Sequence, residues 1–294
     1  MRRAVSTVPP ALALHPALAR NPAGAPNNGL RAAWSGLRDA LSAEWAKMRT
    51  LSGTFGLLAA VVATTVAVST AAAAAVSCPH GGCSVDPAKV SLTGIYLGQA
   101  VAAILGVLII SSEYSTGMIR VTFTAMPRRT TVLAAKAAIA GGLALAAAVI
   151  AVAGSVMAGR VLLTGHGFTP AHGYPALTLA DGPVLRAAVG SVLYLALIAL
   201  LSLGVATIIR DPAPAIGTVL GLLYLDPIIA AVLHSAHWHN VIERYAPMTA
   251  GLAIQSTTNL SSLPISPWAG LGVLAAWAAG ALLLGGMVFR LRDA

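Results

Sequence analysis

Apolar residues in this chain fall into long unbroken runs, not the alternation that a half-buried strand requires. Crossing about 30 Å of hydrocarbon takes about 20 such residues in a helix. Six runs meet that length, at about 54–76, 92–112, 132–156, 187–209, 213–235 and 267–289. The third holds no charged residue between Lys136 and Arg160. Continuous runs also exclude a closed transmembrane barrel, whose strands alternate between lipid and lumen. The expected fold is an all-α integral membrane protein with six transmembrane helices in one domain, residues 52–294.

Two stretches outside the spans keep helical spacing. From residue 30 to 51, Leu30, Trp34, Leu37, Leu41, Trp45 and Met48 recur every three or four positions, which is one face of a helix. Arg31, Arg38 and Arg49 border that face. Trp and Leu edged by basic residues describe a helix lying in the headgroup layer; a soluble helix packed on its own protein has the same spacing. The second stretch is the connection Ser112–Lys136, in which Met118, Val121 and Ala125 fall on one side between Gly117 and Pro127. It reads as a loop that fixes topology by its charge, or as a short amphipathic helix offered to a cytosolic partner. Thr130 or Thr131 is then placed to cap the third span. Residues 1–29 begin Met1-Arg2-Arg3, but Pro9, Pro10, Pro16, Pro22 and Pro26 break any signal-peptide helix, so a flexible cytoplasmic tail is expected.

Composition agrees with the pattern. Of 294 residues 57% are hydrophobic and only 9% charged, against about a quarter charged in soluble domains. A water-soluble enzyme and a disordered chain are excluded, and two cysteines do not make a disulfide-stapled domain. The net charge of +9 need not mean nucleic acid. With the N-terminus inside, fourteen of the 18 Lys and Arg residues fall in inner segments, leaving Lys89, Arg160, Arg186 and Arg244 outside. That asymmetry predicts both termini on the cytoplasmic side, and no nucleic-acid partner is expected.

Candidate chemistry is sparse. A phosphate-cradling loop ends in Gly-Lys-Ser/Thr, whereas Lys47, Lys89 and Lys136, the three lysines, each follow alanine. Leu51-Ser52-Gly53 matches the start of an ATPase signature only by chance. The chain is therefore not expected to be an enzyme or to bind a cofactor. Asp226 is the carboxylate deepest in a span and Glu113 sits at the inner end of the second, so both are candidate pathway residues. Asp226-Pro227 also reads as a cap and first turn, with the fifth helix breaking there. Cys78 and Cys83 lie in an outer loop, where a disulfide persists; a metal site through His80 is the other reading. His166, His172, His234, His237 and His239 are also outer. Their spacing is not a recognised ligand set, so no metal is expected there.

Taken in order, SAEWAKMR at 42–49, EY-TG-IR and PRR within 112–136, and the SPW start of the last span resemble the actinobacterial branch of ABC-2 type transporter permeases. The resemblance covers most of the chain from about residue 30, and the extracytoplasmic loops depart from it. It implies a dimer of six-helix halves, with a second permease copy or homologue as the partner half. The elbow helix would run from Trp34 to Arg49 and include Leu37, Leu41, Glu44 and Trp45. A coupling helix carrying Tyr114, Arg120, Pro127, Arg128 and Arg129 would dock on a separate ABC ATPase, in two copies, which holds the ATP and Mg2+. It further implies an exporter in the plasma (cytoplasmic) membrane, in contact with membrane lipid, and short re-entrant helices within residues 240–267. The alternative function is a proton-coupled secondary transporter that uses Asp226.

Overall fold

The computed structural model describes residues 27–50, 52–78, 83–125, 129–174, 177–232 and 236–291. Side chains are not described for 27–35, 120, 121, 123, 237 and 239, among others. No strand occurs among the described residues. Among the described residues eleven α-helices follow one another: α1 Asn27–Thr50, α2 Ser52–Ala75, α3 Pro87–Ser91, α4 Ile95–Ser115, α5 Met118–Ala125, α6 Arg129–Gly165, α7 Gly182–Ile209, α8 Pro212–Val232, α9 Ala236–Tyr245, α10 Pro247–Leu252 and α11 Pro267–Leu291. Six of them, α2, α4, α6, α7, α8 and α11, are long and apolar enough to cross a membrane. This is a multi-pass membrane protein.

α4 and α7 form the centre of the bundle and are buried over most of their length, whereas α2, α8 and α11 turn most of theirs outward. Close approach depends on missing side chains. At Gly204 of α7 an added Cβ would stand 2.6 Å from the Ala281 backbone of α11, and at Gly285 one would stand 2.8 Å from the Gly204 carbonyl. Either alanine forces α7 and α11 apart.

Three boundaries depart from the sequence expectation, each for a physical reason. The third span ends near 156 by hydropathy, but α6 continues to Gly165. Nothing between them stops a helix: Arg160 is exposed and ends an apolar run without ending a hydrogen-bond ladder. Its 37 residues reach about 55 Å, well beyond the hydrocarbon layer. α6 also starts at Arg129, which puts Thr130 and Thr131 inside the first turn and not at the cap. Finally, α8 runs unbroken through Pro227, so Asp226-Pro227 is not a helix start. Membrane helices tolerate an internal proline where neighbours re-satisfy the freed carbonyl.

Gly117 does divide α4 from α5. It takes φ +70°, a left-handed conformation that a side chain disfavours. At the other end of the bundle, residues 236–255 fold into α9, α10 and a 3-10 turn, Ala253–Gln255. Met248, Leu252, Ile254 and Gln255 of this stretch are buried, so the segment dips back into the bundle.

Candidate functional site

The ends of α1, α4 and α5 and the start of α6 meet at one end of the bundle, here termed the basic end. Glu44 and Lys47 stand one turn apart on α1. Lys136 lies two turns into α6 and is fully buried. Its Nζ donates to Glu44 Oε2 at 2.8 Å and to Glu113 Oε1 at 2.7 Å. Lys47 Nζ donates to the same Glu113 oxygen at 3.0 Å, to Glu44 Oε1 at 3.1 Å and to Thr122 Oγ1 of α5 at 3.3 Å. Each carboxylate thus binds both lysines. Two negative and two positive groups, net zero, join four helices.

The balance makes the cluster tenable. A single buried ammonium or carboxylate carries a desolvation penalty of several kcal/mol, which only close opposite charge and hydrogen bonding offset. Lys47, at the rim, is pulled both ways. Burial lowers its pKa, but the bond to Glu113, the charges of Glu44 and Glu113 and the bond to Glu44 outweigh that, so its pKa sits above the ordinary 10.5.

The rest of the basic end is stitched by arginines. The Arg210 guanidinium, at the turn between α7 and α8, lies 5.3 Å from the centre of the Tyr114 ring, a cation–π distance. Arg129 Nη1 donates to the Phe289 carbonyl of α11 at 3.2 Å. α1 presents Ala40, Glu44 and Met48 inward, with Leu37 and Leu41 half-buried beside them. The buried face is thus rotated from the expected one, leaving Trp45 46% exposed at its edge. Arg38 and Arg49 are exposed. Trp34 is on α1 and Arg120 on α5, with side chains outside the described set; Pro127, Arg128 and His234 lie outside the described residues altogether.

Glu113 therefore belongs to this ion-pair cluster. Asp226 is elsewhere, two-thirds along α8 and half-buried, with no hydrogen bond or ion pair among the described residues. The sequence puts Glu44 and Glu113 at separate sites and gives Lys47 and Lys136 no ion-pairing role. The missed signal is a carboxylate, Glu44, on an apolar helix face, with a lysine, Lys136, several residues inside an apolar run. Each needs a counter-charge, and each supplies the other's.

The far end is built differently. Cys78 and Cys83 form a disulfide with Cα atoms 6.2 Å apart. The Tyr174 hydroxyl accepts from the Cys83 amide at 2.7 Å and donates to its carbonyl at 2.9 Å. Asp86 caps α3 through the amides of Ala88 and Lys89. The same carboxylate accepts from the Thr257 amide at 2.6 Å, the Thr257 hydroxyl at 2.7 Å and the Thr258 amide at 3.2 Å, clasping the segment that follows Gln255. Deeper, Gln99 Nε2 donates to Met248 Sδ at 3.2 Å and Tyr194 donates to Gln99 Oε1.

No protein-family model matches the chain, and no curated protein matches it either.

Proposed function

We propose that this chain is the membrane subunit of an ATP-binding-cassette exporter in the cytoplasmic membrane. A separate ATPase works it from the side of the basic end. One observation carries the reading: the buried Glu44–Lys47–Glu113–Lys136 cluster fastens a peripheral amphipathic helix, α1, and a short connecting helix, α5, to spans α4 and α6. Neither α1 nor α5 crosses the membrane, and isolated surface helices need no such internal bracing. A helix pushed from outside does. In this reading α1 is the elbow and α5 the coupling helix, both termini are cytoplasmic, and the partner half is a second copy or a homologue. Nucleotide-driven closure of the ATPases displaces α5. The cluster passes the displacement to α4 and α6, which biases the pathway between two states.

The test is co-purification of a co-expressed ABC ATPase, one that binds the wild-type chain, with the full chain carrying Arg120→Glu and Arg128→Glu. Loss of the complex with the six-span fold intact is expected; unchanged complex and unchanged transport overturn the assignment. The half-buried Asp226, without a charge partner among the described residues, favours one rival, a proton-coupled carrier. That rival requires uptake into nucleotide-free vesicles driven by a pH gradient and abolished by Asp226→Asn. The exporter reading expects no such uptake.

A further inference from the structure

Between α6 and α11 at the basic end lies a groove of about 350 Å³, lined by Thr130, Leu133, Ala137, Leu282, Met287 and Arg290 among others. The wall is apolar except at one extremity, where Thr130, at the start of α6, and Arg290, at the end of α11, line the mouth. Directly beside that mouth, Arg129 bridges the two helices through the Phe289 carbonyl and adds a second guanidinium. The opposite side is open to the hydrocarbon, since Leu283 and Met287 are exposed.

From Leu282 to Arg290 the groove follows α11 for about 12 Å, and its apolar lining ends in a guanidinium and a hydroxyl. An acyl chain below a phosphate presents the same two chemistries in the same order. The two adjacent glycines divide the work. Gly285 abuts the Gly204 carbonyl, while Gly286 meets only the Leu133 methyl, at an ordinary 3.4 Å from an added Cβ. Position 286 is therefore the groove floor, kept low by the lack of a side chain.

We propose that this groove is a binding site for an anionic phospholipid. One acyl chain lies against Leu133, Gly286 and Leu282, and the phosphate takes the Arg290 guanidinium and the Thr130 hydroxyl. Guanidinium and phosphate oxygens pair in a fork geometry, and basic pockets between spans select anionic headgroups. The inference needs only a membrane-embedded bundle and stands apart from the exporter reading.

The test uses the full-length protein extracted in mild detergent. Native mass spectrometry counts retained lipid after exchange with phosphatidylglycerol or with phosphatidylcholine of identical chains, and inorganic phosphate serves as the free-anion arm. Wild type is expected to retain phosphatidylglycerol over phosphatidylcholine. Arg290→Glu should lower that retention about fivefold or more. Gly286→Leu, which fills the floor and keeps every charge, should abolish it, and Met287→Trp should do the same by narrowing the slot should the leucine variant not fold. Equal retention of the two lipids, displacement by inorganic phosphate alone, or undiminished retention in the groove-filling variants would each overturn the site. So would a change in oligomeric state without a change in bound lipid, which would make the groove a protein seam.

Discussion

The two ends of the bundle both hold carboxylates in place, and they do so by opposite means. At the basic end Glu44 and Glu113 are matched by ammonium groups from α1 and α6, charge against charge. At the far end Asp86 is met by amides and hydroxyls of α3 and of Thr257 and Thr258, charge against dipoles. Dipoles belonging to the backbone are in place once the backbone is folded. A lysine must be brought to its partner by long, flexible methylenes. The first arrangement fastens many helices at once but fails as a unit when any member is lost. The second is local and degrades bond by bond.

Substitutions at the two ends separate these behaviours. The largest effect is expected for Lys136→Met, which leaves two carboxylates sharing one lysine: stability should fall by about 3–5 kcal/mol, read as loss of the folded band in a detergent thermal melt. Adding Glu44→Gln should recover part of that loss; a strictly additive double variant would show that the cluster does not act as a unit. Asp86→Ala should cost about 1–3 kcal/mol, with hydrogen exchange rising around Thr257 and Thr258 and not at α1. Exchange rising equally at both ends would erase the distinction between them. Of similar size, Cys78→Ser should cost about 2 kcal/mol, since the bridge closes a loop of only five-residue separation, with limited proteolysis cutting the loosened loop at the far end.

The smallest effect concerns pH. The folded-state pKa of Lys47 lies above 10.5, so the ammonium contributes stability that is complete below 10.5 and is lost as pH rises through the folded value. Wild type should therefore lose melting temperature more steeply than Lys47→Gln on going from pH 10 upward. Parallel curves for the two would remove Lys47 from the cluster's energetics. The rim position, partly open to solvent, keeps the expected difference slight.

Much of this architecture can be read from residue order alone. The spans follow from apolar run length, and the break at Gly117 from a residue that tolerates positive φ. The extension of α6 does not, because hydropathy reports where lipid ends and not where a helix stops; Arg160 terminates the first and is neutral to the second. The unbroken α8 was hidden by the same confusion, since Asp-Pro marks a helix start in water and a tolerated interruption in lipid. The cluster was hidden for another reason. Glu44, Glu113 and Lys136 are spread over 92 positions, and only the packing of α1 across α4 and α6 brings them to one point. Asp86 and Thr257 are separated by 171 and were invisible for the same reason.

The length of α6 has a mechanical consequence. Pinned at Lys136 and free of breaks to Gly165, it is a lever whose long arm, about 45 Å from that pivot to His166, ends at the disulfide loop, where the Cys78 amide donates to the His166 carbonyl at 2.8 Å. A rigid tilt of roughly 10° at the pivot would sweep that tip through about 8 Å of arc, so a small displacement at one end of the bundle would become a large one at the other.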